Sequence, residues 1–71
     1  MKVSIEYCTM WNYYPQAARL ATEIENKYHI KVTLIKSGGG VFQVRKDDAL
    51  IFSKQATGRF PETSEIFIKL G

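Results

Sequence analysis

The chain predicts a single α/β domain with the element order β-α-β-β-β and a short last element. Three observations point to it. Residues 2–7 alternate, with Val3, Ile5 and Tyr7 set against Lys2, Ser4 and Glu6, the period of a strand with one buried face. From Pro15 the apolar period changes to three and four, as an amphipathic helix requires. Beyond residue 30, three more short alternating segments follow, broken by glycines and by an aspartate pair.

The elements follow in order. Residues 2–7 form the first strand. Ala17, Leu20, Ala21, Ile24 and Tyr28 share one helical face and leave Arg19, Glu23, Glu25, Asn26 and Lys27 for water, which predicts a helix over about residues 13–28. Pro15 suits its first turn, where a missing N–H costs nothing. Residues 30–35 alternate again as a second strand, and SGGG at 37–40 is a flexible break. Residues 41–46 and 49–53 read as strands joined at Asp47-Asp48, a hairpin turn weaker in type than Asp-Gly. Gly58 punctuates the exit and Pro61 marks a helix start. The tail PETSEIFIKLG reads two ways: Ile66, Ile68 and Leu70 alternate like a strand, while Pro-Glu-Thr opens like a helix with an acidic first turn.

Seventy-one residues make one domain, 1–71, because so short a chain cannot divide its apolar residues between two cores. With 45% hydrophobic and 24% charged residues the composition is that of an ordinary globular protein. There are no internal repeats and no linkers. One Cys and one His are too few soft ligands for a structural zinc, and the single Cys forbids an internal disulfide, which excludes the disulfide-stapled secreted class. Met1 leads directly into KVSIEY, so no signal peptide is expected. Runs such as ALIF are far too short to span a bilayer, and the cytoplasm is the expected compartment. The net charge of +3 is carried by scattered residues. A nucleic-acid face needs clustered basic residues with interleaved aromatics, and that reading rests on the basic pI alone.

YCTMWNY, an Ala-rich helix, GGGVFQV, LIFSK and GRFPE, in this order and spacing, resemble the selenoprotein W-like (Rdx) family of small thioredoxin-fold proteins. The resemblance covers essentially the whole chain. It implies a thioredoxin-like β-α-β-β-β-α sandwich with a four-stranded mixed sheet, and it makes residues 62–70 a helix. It also implies a redox site at the end of the first strand, with no cofactor. In that family the strand ends in Tyr-Cys-x-x-Cys or Tyr-Cys-x-x-selenocysteine. Here Trp11 occupies the second redox position, so the dithiol or selenylsulfide pair cannot form, and Gln43 replaces a common Glu. The cis-proline that many thioredoxin-fold proteins set opposite the active cysteine is missing, as it generally is in this family. UGA encodes selenocysteine and differs by one base from the Trp codon UGG. Codon 11 of the native gene therefore decides between a tryptophan and a recoded redox position.

Cys8 is the candidate nucleophile. A cysteine just before a helix N-terminus lies near unpaired backbone N–H groups and the positive end of the dipole, and both favour thiolate over thiol. A thiol of pKa about 8.5 is about 3% ionised at pH 7, whereas one near 6.5 is about three-quarters ionised. Such a thiolate, with no internal resolving thiol, can exchange with a mixed disulfide and be released by an external thiol. It can also be oxidised to a sulfenic acid and then capped by a small thiol. It cannot reduce a protein disulfide by the two-cysteine route, since the indole of Trp11 resolves nothing. The competing reading makes Cys8 a small buried hydrophobe and Trp11 a packing or stacking residue.

Thr9, Met10, Gly39, Gly40, Lys54 and Arg59 are the candidate binding positions, the last two as anion contacts. Gly38, Gly39 and Gly40 are a tight connection packed beside the Cys8 loop rather than a phosphate loop, because no helix with Lys-Ser/Thr follows them. Phe60 reads as core and His29 as a helix C-cap or surface residue. The expected partners are low-molecular-weight thiols or thiol-bearing proteins, with neither nucleic acid nor membrane. The expected state is a monomer, or a Cys8-linked dimer on oxidation. The rival function is a non-catalytic interaction module that kept the fold, lost the redox pair and presents Met10 and Trp11 as an apolar contact.

Overall fold

The computed structural model describes all residues, 1–71. Seven elements follow one another: β1 (Val3–Cys8), α1 (Tyr14–Tyr28), β2 (Val32–Ser37), β3 (Phe42–Lys46), β4 (Ala49–Ser53), α2 (Lys54–Thr57) and α3 (Thr63–Leu70). The strands form one sheet in the order β2-β1-β3-β4. β1 runs parallel to β2 and antiparallel to β3, and β4 closes a hairpin on β3. The four-stranded mixed sheet and its helices are those of the expected thioredoxin-like sandwich.

The alternation in β1 explains the layering. Val3, Ile5 and Tyr7 face a core completed by Phe42, Val44 and Phe52 from the hairpin, by Ala17, Leu20, Ala21 and Ile24 from α1, and by Ile66 and Leu70 from α3. Both helices therefore cover the same side. They meet where Tyr28 stacks edge-on against Phe67, 5.9 Å between ring centroids, and donates its hydroxyl to the Phe67 carbonyl. The other side of the sheet carries Ser4 and Glu6, with Arg45 3.3 Å from the Glu6 carboxylate.

The tail is a helix, and the reason is local. Glu62 and Glu65 close a capping box, which satisfies N–H groups that a strand would have left open. Arg59 grips Glu65 with two hydrogen bonds of 2.5 and 3.0 Å. Ile66 and Leu70 go inward one turn apart, while Ile68, which the strand reading paired with them, is 80% exposed.

The remaining differences are shifts. The second strand spans 32–37 rather than 30–35. α1 ends at His29 in the left-handed conformation, φ 56°, and residues 30 and 31 then carry the chain to the sheet edge. There the Val32 N–H bonds the Glu25 carboxylate at 2.9 Å. α1 starts at Tyr14 with Pro15 in its first turn, and β3 starts at Phe42, one residue later than expected. Pro61 precedes the α3 N-cap, Glu62, rather than lying within the helix. Asp47 and Asp48 both adopt positive φ, 50° and 76°, the conformation a tight two-residue hairpin requires. α2 was not legible. It is one turn, with the Ser53 hydroxyl accepting from the Ala56 N–H and Gly58 closing it at φ 76°.

Candidate thiol site

Cys8 is the last residue of β1, in register with Ser37 at the end of β2. Its N–H donates to the Val41 carbonyl at 2.9 Å, and the next N–H, of Thr9, donates to the Ser37 carbonyl at 3.1 Å. These bonds lock the Cys8 backbone between the start of the helix connection and the glycine loop. The chain then turns through residues 9–13, with the Asn12 N–H on the Thr9 carbonyl and the Tyr13 N–H on the Cys8 carbonyl. Asn12 takes φ 57° to make this possible, a conformation asparagine tolerates better than most residues.

The turn wraps the sulfur. Cys8 is 0% exposed, and the Trp11 N–H donates to its Sγ at 3.4 Å. Burial pushes the thiol pKa up, but the backbone N–H groups of Trp11, Gly40 and Met10 pull it down and prevail, so Cys8 titrates below its ordinary value. The donors differ in part from those the sequence implied. α1 begins six residues beyond Cys8, and none of the N–H groups on the sulfur belongs to its first turn. The turn itself and the glycine loop supply the N–H groups.

Trp11 and Gly40 are packed together. A Cβ added at Gly40 would stand 2.6 Å from Trp11 Cζ3, and φ there is +71°, so only glycine fits. The indole is 64% exposed and Met10 is 87% exposed. Trp11 also begins an aromatic chain, edge-on to Tyr13, which is edge-on to Phe60, which is edge-on to Phe42. Phe60 is thus half-buried against the core rather than within it.

The other candidates divide. Thr9 hydrogen-bonds Ser37 through its hydroxyl at 3.4 Å. The Gly39 carbonyl accepts from Gln55 Nε2 at 3.2 Å, which ties α2 to the glycine loop. Lys54 Nζ lies over the rings of Tyr13 and Phe60, at 5.4 and 5.2 Å, close to the Cys8 turn. Arg59 is committed elsewhere: Glu65 holds it, and its guanidinium faces Phe52. His29 is the exposed α1 C-cap. No three His, Cys, Asp or Glu side chains gather in one place. A groove of about 260 Å³ between α1 and the start of α3, lined by Gln16, Arg19, Leu20, Phe42, Phe60 and others, includes neither Cys8 nor Trp11. Sequence reading missed Ser37, Val41 and Gln55, which act on or through main-chain groups that carry no side-chain signature.

A sandwich whose first strand ends in a thiol held by backbone N–H groups defines a thioredoxin-like protein with a single cysteine. The chain belongs to the Rdx family, whose model matches residues 2–70. The fold is similar to that of a selenoprotein W-related protein from Vibrio cholerae, with a TM-score of 0.92 and 24% identity over 97% of this chain and 90% of that one. A protein from Bordetella parapertussis is equally similar, with a TM-score of 0.92 and 26% identity over 97% of this chain and 91% of the other. No curated protein matches the sequence significantly. No helix is long and apolar enough to cross a membrane.

Proposed function

We propose that this protein is a one-thiol redox protein in which Cys8 exchanges with low-molecular-weight thiols and their mixed disulfides. The observation that carries the reading is the set of backbone N–H groups on the Cys8 sulfur, which favours the nucleophilic thiolate. In the first step the thiolate attacks one sulfur of a small disulfide R–S–S–R. The Cys8–S–S–R bond forms, the R–S–S–R bond breaks, and RS⁻ leaves. A second small thiolate R′S⁻ attacks the R-bearing sulfur, forms R–S–S–R′, and returns Cys8 as thiolate. The cytoplasm, where such thiols are kept reduced, is the compartment that suits this cycle. A Cys8–Cys8 dimer would require the turn to open in two copies at once, so small-thiol adducts are the expected products.

The exposure of Met10 and Trp11 favours a second reading, a protein-interaction module that binds through these side chains, since exposed aromatic residues serve as interface anchors. Mass spectrometry after incubation with an oxidised small thiol separates the two. One adduct per chain, absent in Cys8→Ser, supports the redox reading. No adduct under mild oxidation leaves the interaction module standing.

A further inference from the structure

We infer that the indole of Trp11, seated on Gly40, is a latch over Cys8. Chemistry at the thiol would then pass through a minor state in which residues 9–13 have swung off the glycine loop. The inference rests on the reading of Cys8 as the nucleophile and adds what decides which reagents reach it. Three observations carry it. The sulfur is 0% exposed although it lies at the end of a strand, next to a turn whose side chains are largely in solvent. The tip of that turn is weakly tied. Thr9 bonds Ser37 at its start and Tyr13 bonds Cys8 at its base, but no backbone hydrogen bond joins Met10 or Trp11 to another main-chain group, and that of Asn12 stays within the turn. What holds the tip is the Met10 and Trp11 N–H groups on the sulfur, the indole edge-on to Tyr13 and the same ring against Gly40, with a fit so close that a single methyl group would collide with it.

The latch gives Gly40 a purpose beyond its turn. The residue is buried, its own N–H leans on the sulfur, and its missing Cβ is the seat of the indole. Opening would expose Cys8 and remove the Met10 and Trp11 N–H groups from it together. The closed form therefore shields the sulfur that it polarises, and the open form presents it. A small reagent needs only a brief opening, whereas a protein thiol must first displace Trp11.

Alkylation by iodoacetamide, followed across pH on the full chain, tests this. The midpoint reports thiolate formation and the plateau at high pH reports access. Trp11→Ala keeps the backbone N–H and removes the ring. Its plateau should rise by about tenfold or more, as expected when an open state of about 10% or less becomes the rule, and its midpoint should move up toward that of free cysteine as the Met10 and Trp11 N–H groups leave the sulfur. Gly40→Ala should also raise the plateau by forcing the ring off its seat. The double variant should be no faster than Trp11→Ala, because without the indole the added methyl has nothing to displace. A Trp11→Ala plateau within about twofold of the parent would overturn the latch, as would independent, multiplying effects of the two changes. The indole is mostly in solvent, so Trp11→Ala should fold, and circular dichroism checks it. A parental midpoint at or above that of free cysteine would remove the nucleophile reading and still leave the plateaus to decide the latch.

Discussion

The backbone N–H of Trp11 donates to the Sγ of Cys8, 3.4 Å away and three residues back along the chain. The contact depends on the course of the main chain and not on the indole. Any residue but proline at position 11 that keeps the turn will present the same donor, which separates the acidity of Cys8 from the identity of its neighbour.

The titration of Cys8 follows. Its thiol is held below the ordinary value by N–H groups that outweigh burial, so the folded state favours the thiolate more than the unfolded chain does. The stability this contributes is fully present above the unfolded pKa of about 8.5 and is lost as pH falls through the lower folded value. The parent should therefore gain stability over Cys8→Ala as pH rises from about 5 to about 9. Urea unfolding of both proteins across that range measures it. A constant difference would mean that the thiol is not perturbed by folding.

The Arg59–Glu65 pair makes a parallel test at acid pH. Arg59 first, and then the Glu62 N–H, hold the Glu65 carboxyl down to about 2. A depressed carboxyl stabilises the fold above the unfolded value of about 4.3 and loses that effect as pH falls toward about 2. Glu65→Gln should unfold more readily than the parent near neutrality, and the gap should shrink between about pH 5 and pH 2. Denaturation midpoints at each pH give the curve. The pair is partly in solvent, so the gap should be modest.

How α3 packs can be tested by two substitutions on the same short stretch. Ile66 is 0% exposed and Ile68 is 80% exposed. Ile66→Ala should cost about 2–5 kcal/mol, the range for truncating a buried aliphatic side chain, while Ile68→Ala should stay within about 0.5 kcal/mol. Comparable losses at both positions would mean a strand, with both side chains on one buried face.

That contrast also marks what could be read from the sequence. Val3, Ile5 and Tyr7, and Ala17, Leu20, Ala21 and Ile24, announced their elements because each set repeats on one face with a single period. Residues 66–70 carry apolar side chains on both sides of a short helix, so period alone could not choose. The choice was made by Arg59, Glu62 and Glu65, whose capping contacts become clear only once folded. Cys8 was legible as a thiol at the end of a strand. The source of its acidity was only half legible: the sequence suggested the end of α1, whereas the donors are the amides of Met10, Trp11 and Gly40, two in the turn and one in the glycine loop. Neither that turn nor the fit of an indole on Gly40 leaves a periodic mark on a sequence.

The second redox position can be restored directly. A pair at positions 8 and 11 brackets a turn in which the amide of the later residue already points at the earlier sulfur. A side chain of cysteine size at position 11 starts from that amide's own Cα, within the reach a disulfide needs. Trp11→Cys should therefore form an internal disulfide on gentle oxidation, lose its small-thiol adducts, and reduce disulfide substrates better than the parent, since the new thiol resolves the mixed disulfide from within. Counting free thiols before and after oxidation reads the first effect, and mass spectrometry reads the second. If Trp11 is instead a binding anchor, the same change should weaken a partner complex without creating a redox couple. Two free thiols persisting after oxidation would count against a shared geometry between positions 8 and 11. The turn would then be a platform for Trp11, and the one-thiol chemistry of Cys8 would stand or fall on its alkylation profile.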